Sequence, residues 1–182
     1  MTLLLQISDT HFGTERPQVV AALLRLVDAL PPDLVVLSGD ITQRARKRQF
    51  AAARAFIDTF GATPTLVVPG NHDIPLFDPL ARLFYPYANH QRAFGADLEP
   101  SFESADLLVL GVNTTRPYRH TDGEVSMRQI RRVAARLEAA DEAQLRVVLT
   151  HQPVAVTHAQ DEKISCVDAS ARCSAGRARV PI

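Results

Sequence analysis

Four places in the chain set metal-binding side chains directly after a short apolar run. Asp9 and His11 follow residues 3–7, and Gly39 and Asp40 follow residues 34–37. Gly70, Asn71, His72 and Asp73 follow residues 66–68, and His151 follows residues 147–149. Asp9, His11, Asp40, Asn71 and His151 make a mixed oxygen and nitrogen donor set with no thiolate. Such a set suits divalent or trivalent Fe, Mn, Zn or Co better than a soft metal. Five donors are many for a single ion, and a carboxylate at Asp40, central in the order, can bridge two. Ions held ~3.5–4 Å apart clamp both oxygens of an in-line displacement at phosphorus. A bridging hydroxide is then the nucleophile, because metal binding lowers the pKa of water to about 7. Gly39 and Gly70 stand where a strand must turn sharply toward the cluster, which asks for backbone freedom.

The elements that must position these residues follow from hydrophobic pattern. The four runs are rich in Leu and Val without polar alternation, the mark of strands buried on both faces. If they share a sheet, their polar groups converge on the rim at the carboxyl ends of the strands. Residues 19–30, 49–60 and 126–139 carry helical spacing, with Pro17 near the first start, Gly61 stopping the second and Ser126 as N-cap of the third. Alternation of strand and helix over the first part predicts right-handed crossovers and a largely parallel sheet. Residues 74–95 contain Pro75, Pro79 and Pro86 and read as a loop with short helices, while 101–104 and 107–112 read as a hairpin around Ala105 and Asp106. The expected class is α/β.

The ordered set Asp9-Thr10-His11, Gly39-Asp40, Gly70-Asn71-His72-Asp73 and His151 resembles the motifs of calcineurin-like metallophosphoesterases. Residues 122–126 and 149–153 resemble the bacterial cyclic-nucleotide phosphodiesterase and glycerophosphodiesterase branch. The resemblance spans about residues 2–163. It implies a two-sheet α/β/β/α sandwich and hydrolysis of a small phosphate ester, foremost a phosphodiester, by a hydroxide bound to two metal ions. It further implies that Asp9 and His11 bind the first metal, that Asp40 bridges, and that Asn71 and His151 bind the second. His72 then sits over the substrate as a catalytic group, with Asp73 orienting it.

The family ends its site with a Gly-His-x-His motif, which this sequence lacks. Of its histidines, at 11, 72, 90, 120, 151 and 158, none lies beyond His158. Residues 164–182 show no helical or strand period and hold both cysteines, Cys166 and Cys173, expected as free thiols in a loose tail. The expectation is an incomplete metallophosphoesterase domain over 1–163 and an atypical, frameshifted or disordered tail over 164–182. The alternatives are an inactive truncated remnant or a nuclease of the same superfamily. Lys plus Arg and Asp plus Glu each number 20, so charge gives no general pull toward nucleic acid or membrane. The first residues lack a basic leader and a long apolar stretch, which points to a cytoplasmic protein. His90 and His120 read as surface or loop residues, with substrate contact the alternative for His120. His158 is a remote substitute ligand. Residues 44–48 read as a solvated helix start, with a cationic lip for an anionic substrate as the alternative.

Overall fold

A computed structural model describes residues 2–156 and 165–167. Strands β1 (Leu4–Ile7), β2 (Leu34–Ser38) and β3 (Thr65–Val68) form a parallel sheet in the order β1-β2-β3. Two helices make the crossovers between them, α1 (Pro17–Ala29) and α2 (Lys47–Asp58). The first part of the chain is thus the strand–helix alternation that the pattern predicts.

After β3 a short 3₁₀ turn (Asn71–Asp73) leads into α3 (Pro79–Phe84) and α4 (Ala88–Phe94). Strands β4 (Ser101–Glu103) and β5 (Leu107–Gly111) form the expected antiparallel hairpin. Then come β6 (Gly123–Glu124), α5 (Met127–Glu138) and β7 (Leu145–Leu149). Ser126 caps α5, its side chain accepting from the Gln129 amide.

The fourth apolar run does not join the first sheet. β7 pairs parallel to β5 in a second sheet of order β4-β5-β7. The two sheets stack face to face. Leu34, Val36, Leu66 and Val68 from the first meet Leu107, Val109 and Leu149 from the second. On the other face of the first sheet, Val35, Leu37 and Val67 pack beneath Ala53, Phe56 and Ile57 of α2, with Val20, Leu23 and Leu24 of α1 alongside. Every residue of β2 is buried, because its alternate side chains enter different cores. β7 departs from the expected two-sided burial: Leu145 is 67% and Val148 42% exposed. Its inward face alone is packed.

A further strand, β8 (Cys166–Val167), pairs parallel with β6. The loose-tail expectation therefore fails for Cys166, which is a buried thiol packed with Val112 and Val125, and burial pushes it up to about 11. Cys173 and His158 lie outside the described residues, as does most of the 164–182 segment. Among the described residues, no helix is long and apolar enough to cross a membrane.

Candidate metal centre

The rim forms at the carboxyl ends of β1, β2, β3 and β7. Past the end of the strands the first sheet's ladder continues through irregular backbone, with the Asp9 amide on the Gly39 carbonyl at 3.2 Å and the His11 amide on the Asp40 carbonyl at 3.0 Å. Asp9, His11 and Asp40 all lie in the left-handed region, at φ 53°, 43° and 48°. A non-glycine residue there costs roughly 1–2 kcal/mol and persists where its surroundings over-determine it. These three turns aim their side chains back across the strand ends.

Close approach explains the two glycines. A Cβ on Gly39, itself at φ +94°, would meet the His151 ring at 2.6 Å. A Cβ on Gly70 would fall onto the backbone nitrogen of Asp40.

Asp40 lies at the centre, its side chain only 8% exposed. Its Oδ2 stands 3.9 Å from His11 Nε2 and 4.0 Å from His72 Nε2. Its Oδ1 stands 3.3 Å from His151 Nε2 and accepts the His72 amide at 2.9 Å. The two oxygens thus serve two clusters, one with His11 and His72 and one with Asp9 and His151. Burial works to raise the Asp40 pKa, but the His151 hydrogen bond and charge and the His72 contacts outweigh it and leave the carboxyl below its ordinary value. His151 answers in the same way: burial opposes its charge, and the bond to Asp40 prevails and raises it.

His151 supplies a test of whether a cation fits. Its Nδ1 meets the Ser38 carbonyl at 2.9 Å. A carbonyl only accepts, so Nδ1 carries the hydrogen, and in the neutral ring Nε2 presents a lone pair. That lone pair points at Asn71 Oδ1, 3.1 Å away, and Asp40 Oδ1. Three acceptors converging on one point call for a positive charge between them, supplied by a proton on Nε2 in the charged ring that the contact with Asp40 favours, or by a metal ion in that proton's place. His11 turns its Nε2 to the same rim, 3.9 Å from Asp9 Oδ1 and from Asp40 Oδ2. The donors are those of a borderline-hard metal, and the second contact of His151 to a backbone carbonyl is the usual way to orient a ligating imidazole.

Of the residues expected at the site, Asp9, His11, Asp40, Asn71, His72 and His151 are brought together. Asp73 is adjacent but otherwise engaged. Its fully buried carboxylate accepts from the amides of Ile41 (3.1 Å), Thr42 (2.8 Å) and Gly70 (2.9 Å) and from the Thr42 hydroxyl (2.9 Å). It stitches the loop after β2 to the loop after β3, and burial pushes its pKa up to about 6 against those amides. The partner that orients His72 is a carbonyl: Nδ1 meets Gln43 O at 3.1 Å. Sequence reasoning missed both Gln43 and Ser38 in this capacity, since a backbone carbonyl leaves no mark on residue type. His90 also differs from its expected surface place. It is fully buried between Phe50 and Phe94, with both ring nitrogens unpartnered among the described residues. His120 is exposed and lines a cleft that begins at His72.

A sequence model of the calcineurin-like phosphoesterase family matches residues 2–173. The glycerophosphodiester phosphodiesterase GpdQ of Enterobacter lignolyticus is 26% identical over 90% of this chain and 62% of its own length. The chain therefore spans about three fifths of that curated relative. Among solved structures, a dimetal phosphatase from Danio rerio aligns over 98% of this chain and 78% of its own, with TM-score 0.64 and 15% identity. Purple acid phosphatase PPD1 from yellow lupin seeds aligns over 90% of this chain and 33% of its own, with TM-score 0.65 and 14% identity. At those identities the two structures establish the likeness of fold.

Proposed function

The chain belongs to the calcineurin-like phosphoesterase family, and from that premise we propose that it hydrolyses phosphate esters, foremost a small phosphodiester, with two metal ions at the rim. Asp9 and His11, 3.9 Å apart, would hold one ion, Asn71 and His151 the other, and Asp40 would bridge them, with Asp9 also in reach of the His151 cluster. The observation that carries the reading is the division of the Asp40 carboxylate, with Oδ2 toward His11 and Oδ1 toward His151. Similarity to a glycerophosphodiester phosphodiesterase supports a diester over a monoester.

Bound ions would supply charge for the phosphoryl oxygens and a nucleophilic water of lowered pKa. The chain's own residues do the rest. Asp40 and His151 hold the floor of the site through their 3.3 Å contact. His72, more exposed than either, faces the open side. With Nδ1 committed to the Gln43 carbonyl, the proton it gives to a leaving alkoxide resides on Nε2. Asp73 acts through the backbone, keeping Asp40 and His72 in register.

The test is hydrolysis of bis(p-nitrophenyl) phosphate in the presence of Mn(II), Co(II) or Zn(II), with bound metal measured in parallel. Turnover that requires metal and is lost in Asp40→Asn supports the reading. Metal-independent turnover, or turnover retained in that variant, overturns it.

A further inference from the structure

A shallow cleft of about 30 Å³ opens beside His72 and Asn71 and carries Gln43, Arg44, Arg82 and His120 on its walls. Among the described residues no carboxylate lines it, so two guanidinium groups leave it with a positive potential. Arg82 is spoken for: Nη1 donates to the Pro75 carbonyl at 3.2 Å and Nη2 to the Arg119 carbonyl at 2.7 Å. It fastens the segment bearing His120 against the loop after β3.

Arg44 is different. Its guanidinium lies 5.0 Å from the centroid of Phe77, and among the described residues no acceptor meets its N–H groups. A cation–π contact, here between two exposed side chains, favours that position while leaving the donors free. The backbone that presents it is strained and strongly held. Ala45, the next residue, sits at φ 51°, a conformation that a residue with Cβ adopts only under constraint. The constraints are visible. The Arg44 and Arg46 amides both donate to Gln49 Oε1, at 3.0 and 3.2 Å. The Ala45 amide donates to Thr42 Oγ1 and its carbonyl accepts from Asn89 Nδ2, each at 3.0 Å. One residue earlier, Gln43 O holds the His72 ring. Arg44 and the proposed proton donor are therefore parts of one rigid loop.

We infer that Arg44 recognises an anionic group carried by the leaving alcohol of the substrate, lodged in the cleft between His72 and His120. This rests on the proposed function in one respect: the leaving oxygen must lie on the His72 side. The substrate class is then a phosphodiester whose departing half bears a second acidic group, such as a carboxylate or a phosphate. A guanidinium over an aromatic ring, with no acceptor on its N–H groups and no carboxylate in its cleft among the described residues, has a fork that matches either one.

Binding can be read without turnover. Benzyl methylphosphonate and 3-carboxybenzyl methylphosphonate, titrated calorimetrically into the Mn(II)-supplemented chain, differ only in the second acidic group. The carboxylated ligand should bind about 10-fold more tightly or better, the order expected for hydrogen bonds to a charged group. Arg44→Gln should erase that preference and Arg44→Lys keep part of it. Arg54→Gln, which removes the same charge from a residue outside the cleft, should leave it intact. No preference in the wild type, or a preference unchanged in Arg44→Gln, overturns the inference. Equal weakening of both ligands also overturns it, since Arg44 would then serve the phosphoryl group or the loop. Failure of bis(p-nitrophenyl) phosphate hydrolysis with the preference intact removes the proposed reaction and leaves the recognition standing.

Discussion

His151 Nε2 lies 3.3 Å from Asp40 Oδ1, so a residue at the end of β7 in the second sheet touches the centre of a site built on the first. The contact crosses the seam of the sandwich. His151 joins the donors of the first sheet only when Leu149 and Val109 are packed against Val36 and Val68, and the site depends on the core beneath it.

Asp40→Ala should therefore remove metal more completely than Asn71→Ala. The carboxylate faces both clusters, while the Asn71 carbonyl meets His151 alone. Elemental analysis of metal per chain decides it, and equal losses in the two variants would count against bridging.

His72→Asn should lower turnover by about 10²–10⁴-fold, the usual range for general acid help, with metal content near normal. The substrates with the least reactive leaving groups should suffer most. His72 Nε2 is 4.0 Å from Asp40 Oδ2, close enough that a ligand role is the competing reading. Substantial metal loss in this variant would establish that role instead.

Gly70→Ala should disable the site and the fold together. The new Cβ would land on the Asp40 backbone, and crowding in a packed interior costs roughly 1–3 kcal/mol or more. Gly61→Ala is the comparison: φ is +63° there but the space is open, so only the backbone cost of about 1–2 kcal/mol applies. The melting temperature should fall further for Gly70→Ala, and only that variant should lose metal. Similar behaviour of the two would show that close approach at Gly70 is unimportant.

His90 should make the protein acid-labile. Burial between aromatic rings pushes its pKa down to about 4, against about 6.5 in an unfolded chain. Between those values the unfolded state takes up a proton that the folded state refuses, so stability falls as pH drops through this window and is fully present above it. The size is roughly 3 kcal/mol at about 1.4 kcal/mol per pKa unit. His90→Met, close in volume, removes the group. The difference in melting temperature between variant and wild type should grow in the variant's favour from pH 6.5 to pH 4. A difference that stays constant with pH would clear His90 of the effect.

Much of this was legible in the sequence because each motif directly follows an uninterrupted apolar run, and a run that enters the core as a strand leaves its polar successors at the rim. The helices over 17–29, 47–58 and 127–138 were legible from their spacing and caps. What escaped was pairing. Nothing in Leu-Arg-Val-Val-Leu says which sheet it joins, and β7 joins the second because β5 offers it five residues of parallel register. The place of His90 escaped too, since a buried imidazole without partners contradicts the ordinary cost of burying a polar group. The orienting role of Asp73 was implied by the resemblance alone, and here its carboxylate is instead taken up by the amides of Ile41, Thr42 and Gly70.

The left-handed turns at Asp9, His11 and Asp40 also limit how portable this donor set is. Copying the same side chains onto the strand ends of another sheet would carry over the chemistry of the ligands without the curl that directs them. Asp tolerates that curl better than most residues, and His is enriched there too, so the identities at 9, 11 and 40 answer to backbone shape as well as to metal. A successful transplant would have to take the loops whole, with Gly39, Gly70 and Asp73 as their lining.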